Sequence, residues 1–273
     1  VTRDFSGKHV LVTGAASGIG RQTAFCFAEA GADLELVDIA EEGLSRTALL
    51  CEKLGARVHT HLADVSDARS MQAVADRVHE RIFALDVLVN NAGVGVAGSF
   101  VGTELPAWDF ALSINVKGVV HGCHYFLPRM IERGRGGHVV NVASVLGLVA
   151  PKGLPVYATT KFAVVGLSES LRAELRPHGI GVTTLCPGVI DTPIVRSTRR
   201  TGDLAGKDDF NARAAAFYRK RGYGPDRVAT IVIDAVRNRR GLVPVALESW
   251  AAYYGKRFAP RLMEAILSRD LPV

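Results

Sequence analysis

The chain has 273 residues, 48% hydrophobic and 22% charged, the proportions of a globular protein built round a large buried sheet. A net charge of +6 suits nucleic acid or an anionic membrane surface, but no nucleic-acid fold signature accompanies it, so the expectation is a mildly basic soluble protein that binds no nucleic acid. No apolar run approaches the roughly 18 residues of a membrane span, no signal peptide opens the chain, and Cys26, Cys51, Cys123 and Cys186 form no C-x-x-C pair. The cysteines therefore read as small buried hydrophobes in a reducing, cytoplasmic compartment. Val1 stands where a methionine would open a translated chain; a misread start, processing or excision from a longer protein would each explain it.

In chain order, His9–Thr13 is a run suited to a strand buried on both faces. A glycine-rich turn follows, then a helix to about Ala30, closed by Gly31. Leu34–Val37, Arg57–Leu62 and Asp86–Val89 read as strands, separated by helices over Glu41–Leu54 and Asp67–Ile82. Pro106–Arg133 is helical, Gly137–Val142 a strand, Val156–Arg176 a helix ending at Pro177 and Gly179, and Gly181–Leu185 a strand. Ile194–Gly224 is polar and arginine-rich, an insertion with local helix. Pro225–Arg237 is helical and Leu242–Leu247 a final strand. This alternation predicts one α/β domain over 1–273, a doubly wound Rossmann-type parallel sheet of about seven strands with helices on both faces. Within it, 194–224 is a candidate lid and 248–273 a C-terminal tail.

The first strand runs into Thr13-Gly14-Ala15-Ala16-Ser17-Gly18-Ile19-Gly20. Glycines there let the backbone turn tightly and approach a pyrophosphate, and the next helix points its free N–H groups at the phosphates. A glycine turn alone is a weak signal; the strand before it and the helix after it strengthen it. Asp38 ends the second strand, about twenty residues past the loop, where a carboxylate accepts from the adenosine ribose hydroxyls. Its charge repels the 2′-phosphate of NADP, and neither Ser17 nor Ile39 offers a compensating cation. Arg21, one residue inside the helix, is expected to face solvent. The cofactor expected is therefore NAD, although Asp38 also suits a helix N-cap before Glu41. Asp64-Val65 and Asn90-Asn91-Ala92-Gly93 follow the third and fourth strands, where doubly wound sheets bind ligands. Asp64 suits the adenine amino group and Asn90 the loop or the ribose; plain turn chemistry is the alternative for both.

Ser144 follows the Gly137–Val142 strand. Tyr157 and Lys161, four apart on a helix, share a face. An ammonium about 4 Å from a phenol is worth about 4 kcal/mol at an effective dielectric near 20, which lowers the tyrosine pKa toward neutrality before desolvation opposes it. Tyr157 then exchanges a proton with an alcohol or ketone oxygen, and Ser144 hydrogen-bonds that oxygen. By itself the Tyr–Lys pair reads as a surface pair; the glycine loop changes that.

Taken together, T-G-A-A-S-G-I-G at 13–20, Asp38, Asp64, N-N-A-G at 90–93, Asn115, Ser144, Y-A-T-T-K at 157–161 and P-G-V-I-D-T at 187–192 make the chain resemble a compact, NAD-preferring short-chain dehydrogenase/reductase from Gly7 to about Leu247. The resemblance implies catalytic roles for Asn115, Ser144, Tyr157 and Lys161. It implies that Gly14, Ser17, Gly18, Ile19, Gly20, Asp38, Asp64, Val65, Asn91, Ala92, Gly93, Tyr157, Lys161, Pro187, Gly188, Val189 and Thr192 hold the cofactor. Lys161 would also bind the nicotinamide ribose, Asn115 would hold a relaying water at a local helix distortion, Pro187-Gly188 would border the nicotinamide, and Val189 and Thr192 would bond its carboxamide. A homotetramer or homodimer through the Pro106–Arg133 and Val156–Arg176 helices is implied as well.

The expected substrate is a hydrophobic secondary alcohol or ketone, held by Ser144, Leu146, Leu154 and Tyr157 within a wall of Val94, Val96, Val145, Leu148, Pro151, Val189 and Ile190. Lys152 and Arg196 suit a carboxylate but read as ordinary exposed cations. His121, Cys123 and His124 superficially suggest a metal, but only the two histidines share a face and no acidic partner is evident, so none is expected. Trp250, Tyr254, Phe258, Leu262 and Ile266 recur at near-helical spacing beside Lys256, Arg257 and Arg261. Such a helix can lie on a membrane, but Pro260 interrupts it, and packing across the pocket or onto another subunit is preferred. The competing readings are an NADP-dependent carbonyl reductase, which Asp38 opposes, and a non-catalytic NAD-binding sensor or scaffold, which the intact Ser144–Tyr157–Lys161 set opposes.

Overall fold

The computed structural model describes residues 4–206 and 210–269. Val1, residues 207–209 of the expected lid and residues 270–273 of the expected tail lie outside the described residues. The elements in order are β1 (His9–Thr13), α1 (Gly18–Glu29), β2 (Asp33–Asp38), α2 (Glu41–Lys53), β3 (Val58–Leu62), α3 (Ala68–Arg81), β4 (Val87–Asn90), β5 (Val96–Ala97), α4 (Leu105–Leu112), α5 (Gly118–Arg133), β6 (Gly137–Val142), α6 (Pro155–Leu175), β7 (Ile180–Pro187), α7 (Pro193–Ser197), β8 (Arg199–Arg200), α8 (Phe210–Arg221), α9 (Pro225–Arg237), β9 (Leu242–Val245), α10 (Leu247–Phe258) and α11 (Pro260–Leu267).

Seven strands form one parallel sheet in the order β3-β2-β1-β4-β6-β7-β9. All seven carboxyl ends therefore lie along one edge, and the order reverses between β1 and β4, opening a crevice there. Alternation along each strand divides the core. Val10, Val12, Leu34 and Leu36 pack with Phe27 of α1, Leu44 of α2 and Val232 of α9 on one face. Leu11, Val37, Leu88 and Val139 pack with Met71 of α3, Phe126 of α5 and Val164 of α6 on the other. Phe27 and Phe126 are wholly buried, and truncating either to alanine costs about 3–5 kcal/mol.

Four local features depart from the sequence expectation. The helix expected over 106–133 is three pieces: α4 and α5 flank a π-helical turn over Ser113–Lys117, the distortion that the resemblance implied at Asn115. The 194–224 insertion carries α7, a 3₁₀ turn at Gly202–Leu204 and α8, and its β8 pairs in parallel with β5. Two-residue strands have no periodicity to read. The final strand stops at Val245, because Ala246 takes a positive φ of 72° and α10 begins at Leu247. Pro260 opens α11 rather than merely ending a helix. Among the described residues no helix is long and apolar enough to cross a membrane.

Candidate active site

The glycine loop leaves β1 through Gly14, whose φ is +67°. A Cβ there would lie 2.7 Å from Asn91 Nδ2 and 2.8 Å from Ala92 Cα, and one on Gly20 would overlap the Gly14 carbonyl. Glycine is thus required twice, once for conformation and once for the approach of α1 to the turn. Asn91 holds the loop from the neighbouring strand end, its Nδ2 donating to the carbonyls of Thr13 (2.9 Å) and Gly14 (3.2 Å). Thr13 Oγ1 accepts from the amides of Asn91 (3.0 Å) and Ala92 (3.1 Å). Sequence reasoning gave Thr13 no role; a hydroxyl at the last residue of a strand entering a glycine turn was the available signal. Ser17 caps α1 in extended conformation without a side-chain cap bond, and no acidic residue occupies the first turn. Ile19 turns inward against the core. From the far side of the cradle, Thr192 and Pro193 come close to Gly18, on which a Cβ would lie 3.5 and 3.4 Å from them.

Asp38 sits at the end of β2 with its carboxylate fixed. Oδ2 accepts from the Ala16 amide (2.8 Å) and Oδ1 from the Ala40 amide (2.9 Å). The α2 N-cap is Ala40, not Asp38; the carboxylate braces the turn before the helix and ties it to the glycine loop. Arg21 does not face solvent freely. It is half-buried, with Nε donating to Thr47 Oγ1 (3.1 Å) and its guanidinium to the Ala16 carbonyl. Beside Asp38, Ile39 is 70% exposed and Leu62 56% exposed. Two large apolar side chains in solvent at the sheet edge fit the faces of a nucleobase. Asp64 is exposed and caps its own turn, accepting from the Ser66 amide at 2.8 Å. Val65 is buried, and its carbonyl takes a bond from His121 Nδ1 at 2.8 Å. That bond and the burial of Cys123 occupy two members of the His121–Cys123–His124 set.

Asn90 corrects an expectation. It is 2% exposed and lies between the sheet and α5, donating to Asn141 Oδ1 at 2.9 Å, with Asn141 donating in turn to Ser168 Oγ at 3.0 Å. It braces neither loop nor ribose; Asn90 and Asn141 are register partners of β4 and β6, and parallel neighbours place like side chains together.

The chemical half stands on β6 and α6. Ser144 (8% exposed) follows β6, and its Oγ accepts from the Leu146 amide at 3.1 Å. Tyr157 stands in the first turn of α6, with its phenol near enough to Ser144 for that side chain to lower its pKa. Lys161, one turn on and 3% exposed, donates Nζ to the Val142 carbonyl at 3.0 Å and lies 5.6 Å from the Tyr157 ring centroid. Gly93 faces this group: a Cβ on it would lie 3.5 Å from Lys161 Nζ and 3.1 Å from Asn115 Oδ1. The Asn115 side chain clamps the neighbouring loop, with Oδ1 accepting from the Val94 amide (2.8 Å) and Nδ2 donating to the Val94 carbonyl (2.9 Å) and Thr160 Oγ1 (3.0 Å).

The expected electrostatics differ in one respect. Burial pushes the Tyr157 phenol above the ordinary tyrosine value, outweighing the lowering by Ser144. Burial also brings the Lys161 ammonium down to about 8. Desolvation is the dominant influence on both groups, and the Lys161 ammonium is turned to the Val142 carbonyl.

At the end of β7, Pro187 is buried and in register with Val245 of β9, and the Gly188 amide donates to the Val245 carbonyl at 3.1 Å. The Val189 amide donates to Glu248 Oε1 at 2.7 Å. Glu248 lies 59 residues beyond Val189 in the tail, and no local pattern signals it. Val94, Val145, Leu146, Pro151, Leu154 and Val189 are half-buried. Val96, Leu148 and Ile190 are not wall but packed core, at 1%, 8% and 4% exposure. Over this region lie α7 and α8, joined by Val195, Ala214, Ala215 and Tyr218. Arg196 pairs with Asp191 at 3.6 Å. In the tail, Trp250 and Tyr253 turn inward, while Tyr254, Phe258, Leu262 and Ile266 are exposed.

A parallel sheet with a glycine cradle at its switch point is the architecture of a dinucleotide-binding fold, and a Ser–Tyr–Lys group stands beside the cradle. The family model described as short chain dehydrogenase matches residues 8–203, and the chain belongs to that family. Oxidoreductase EphD of Mycobacterium tuberculosis, described as probable, is 40% identical over 264 residues, 96% of this chain but 45% of that protein, so the chain spans less than half the length of that relative. Oxidoreductase UcpA of Salmonella typhimurium is 37% identical over 252 residues, covering 91% of this chain and 87% of that one. A short chain dehydrogenase/reductase from Burkholderia phymatum, solved in complex with NAD, superposes with a TM-score of 0.85 at 32% identity over 99% of both chains.

Proposed function

We propose that this short chain dehydrogenase is an NAD-linked enzyme that interconverts a hydrophobic secondary alcohol and its ketone, with Tyr157 as the acid/base. The observation that carries the reading is the buried Lys161 Nζ, 3.0 Å from the Val142 carbonyl at the end of β6 and 5.6 Å from the Tyr157 ring centroid, with Ser144 just beyond that strand on the carboxyl edge next to the crevice. When bound, the nicotinamide supplies the hydride acceptor or donor. The residues present fit a dinucleotide. The Gly14–Gly20 turn and α1 suit the pyrophosphate, Asp38 the ribose hydroxyls, exposed Ile39 and Leu62 the adenine, and Gly93, Pro187 and Gly188 the nicotinamide side.

The Tyr157 hydroxyl gives a proton to the ketone oxygen in reduction and takes it back in oxidation. Ser144 hydrogen-bonds the same oxygen and orients it. Lys161 positions the nicotinamide ribose and adds positive charge beneath the phenol. Asn115 fixes the Val94 loop, and its π-turn supports the proton path toward Lys161. NAD is favoured over NADP because the Asp38 carboxylate repels a 2′-phosphate and Arg21 commits its donors to Thr47 and Ala16. The half-buried apolar wall of Val94, Leu146, Leu154 and Val189 favours a hydrophobic substrate. The chain acts as one catalytic domain with 194–224 as lid. It works in the cytoplasm as a homodimer or homotetramer through α4–α5 and α6.

The test is a panel of hydrophobic alcohols and ketones with both cofactors, followed by absorbance of the reduced nicotinamide. Turnover with NAD supports the reading. Tighter binding of NADP overturns the role of Asp38, and tight NAD binding without turnover on any member favours a sensor or scaffold.

A further inference from the structure

We propose that Glu248, in the first turn of α10, is a determinant of nicotinamide affinity because its carboxylate competes with the nicotinamide carboxamide for the Val189 amide. The inference rests on the dinucleotide reading above and extends it to the tail. Glu248 Oε1 accepts from the Val189 N–H at 2.7 Å, a short charge-assisted bond. One N–H forms one good hydrogen bond, so the carboxylate must leave before a carboxamide oxygen takes its place.

The surrounding backbone is shaped for the contact. Gly188 carries no side chain where a Cβ would overlap the Glu248 carboxylate. Ala246, which aims α10 from the end of β9, holds a φ of 72°, a costly conformation for a residue with a Cβ. Trp250 and Tyr253 anchor the next turn, with ring centroids 6.3 Å apart, and Tyr253 packs on the core beneath. The helix is therefore held, and the Glu248 side chain is the part that re-aims as the nicotinamide enters. Residues 247–258 thus tune the nicotinamide half of the site without touching the adenine half.

The experiment is calorimetric titration of NAD and of ADP-ribose, which shares every part of the dinucleotide except the nicotinamide ring, against wild type, Glu248→Ala and Glu248→Gln. Removing the carboxylate is expected to tighten NAD by about tenfold. Glu248→Gln, which keeps the shape and a weaker acceptor, should tighten it by less and carries the test if the alanine variant is unstable. ADP-ribose should bind all three alike. NAD affinity unchanged or weakened in both variants, with ADP-ribose unaffected, overturns the inference alone. Failure of the wild type to bind either ligand overturns the dinucleotide reading and this inference with it.

Discussion

Lys161 Nζ lies 3.0 Å from the carbonyl oxygen of Val142, the last residue of β6. The ammonium is buried at the point where the strand hands over to Ser144, and burial has brought its pKa to about 8. A cation kept there costs folding energy that a hydrocarbon would not, which fits the proposed role of Lys161 in chemistry rather than in stability.

Replacing Lys161 with Met should therefore stabilise the protein while removing activity. The unfolded chain holds more protons than the folded one between pH 8 and the ordinary lysine value of 10.5. The penalty is thus in full force below pH 8 and is relieved as pH rises through that window. A shift of this size corresponds to about 3 kcal/mol. The Val142 carbonyl left unpaired takes back about 1 kcal/mol, so urea unfolding at pH 7 should show a gain of about 2 kcal/mol. A loss of stability would mean that the ammonium is better compensated than its surroundings indicate.

Tyr157→Phe should lower turnover by about 10²–10⁴-fold and leave the NAD dissociation constant within about twofold. Ser144→Ala should act in the same direction with a smaller loss. Because burial holds the phenol protonated above its ordinary range, ketone reduction should run well at neutral pH. Oxidation should accelerate as pH rises, since deprotonated phenol is the base. Steady-state rates in both directions across pH 6–10 test this; an oxidation rate that is flat or falls with pH would remove Tyr157 from the role.

Asp38→Ala removes acceptors from the amides of Ala16 and Ala40 together with the charge that repels a 2′-phosphate. NAD should bind about tenfold more weakly, and the preference for NAD over NADP should shrink by at least as much. Calorimetry with both cofactors measures it, and an unchanged ratio would assign the selectivity elsewhere.

His138, 3% exposed on β6, should make the protein acid-sensitive. Its Nε2 lies 2.8 Å from Thr183 Oγ1, which donates to the Arg240 carbonyl, so Nε2 carries the proton and Nδ1 is left buried without a partner. Burial, with Arg239 and Arg172 nearby, lowers its pKa to about 4 from 6.5. The unfolded state binds the extra proton between those values, so stability falls as pH drops from 6.5 toward 4, by up to about 3 kcal/mol. His138→Gln should flatten that slope in unfolding midpoints measured at pH 7 and pH 5.

From sequence alone, the alternation of buried strands and helices, the glycine turn, Asp38 and the Ser144–Tyr157–Lys161 spacing were legible. Each is written in local periodicity or in residues whose chemistry admits few uses. Other features depended on neighbours distant in the chain. The inward turn of Asn90 follows from its register with Asn141 across β4 and β6. The Val142 carbonyl became the partner of Lys161 because α6 packs over the end of β6. Val96 and Ile190 joined the core through contacts that no periodicity encodes. Glu248 reached Val189 because β9 lies beside β7, which sets α10 against the loop after Pro187. Backbone preference and hydrophobic pattern act over a few residues, whereas the direction of a side chain in the site depends on which elements the sheet places side by side.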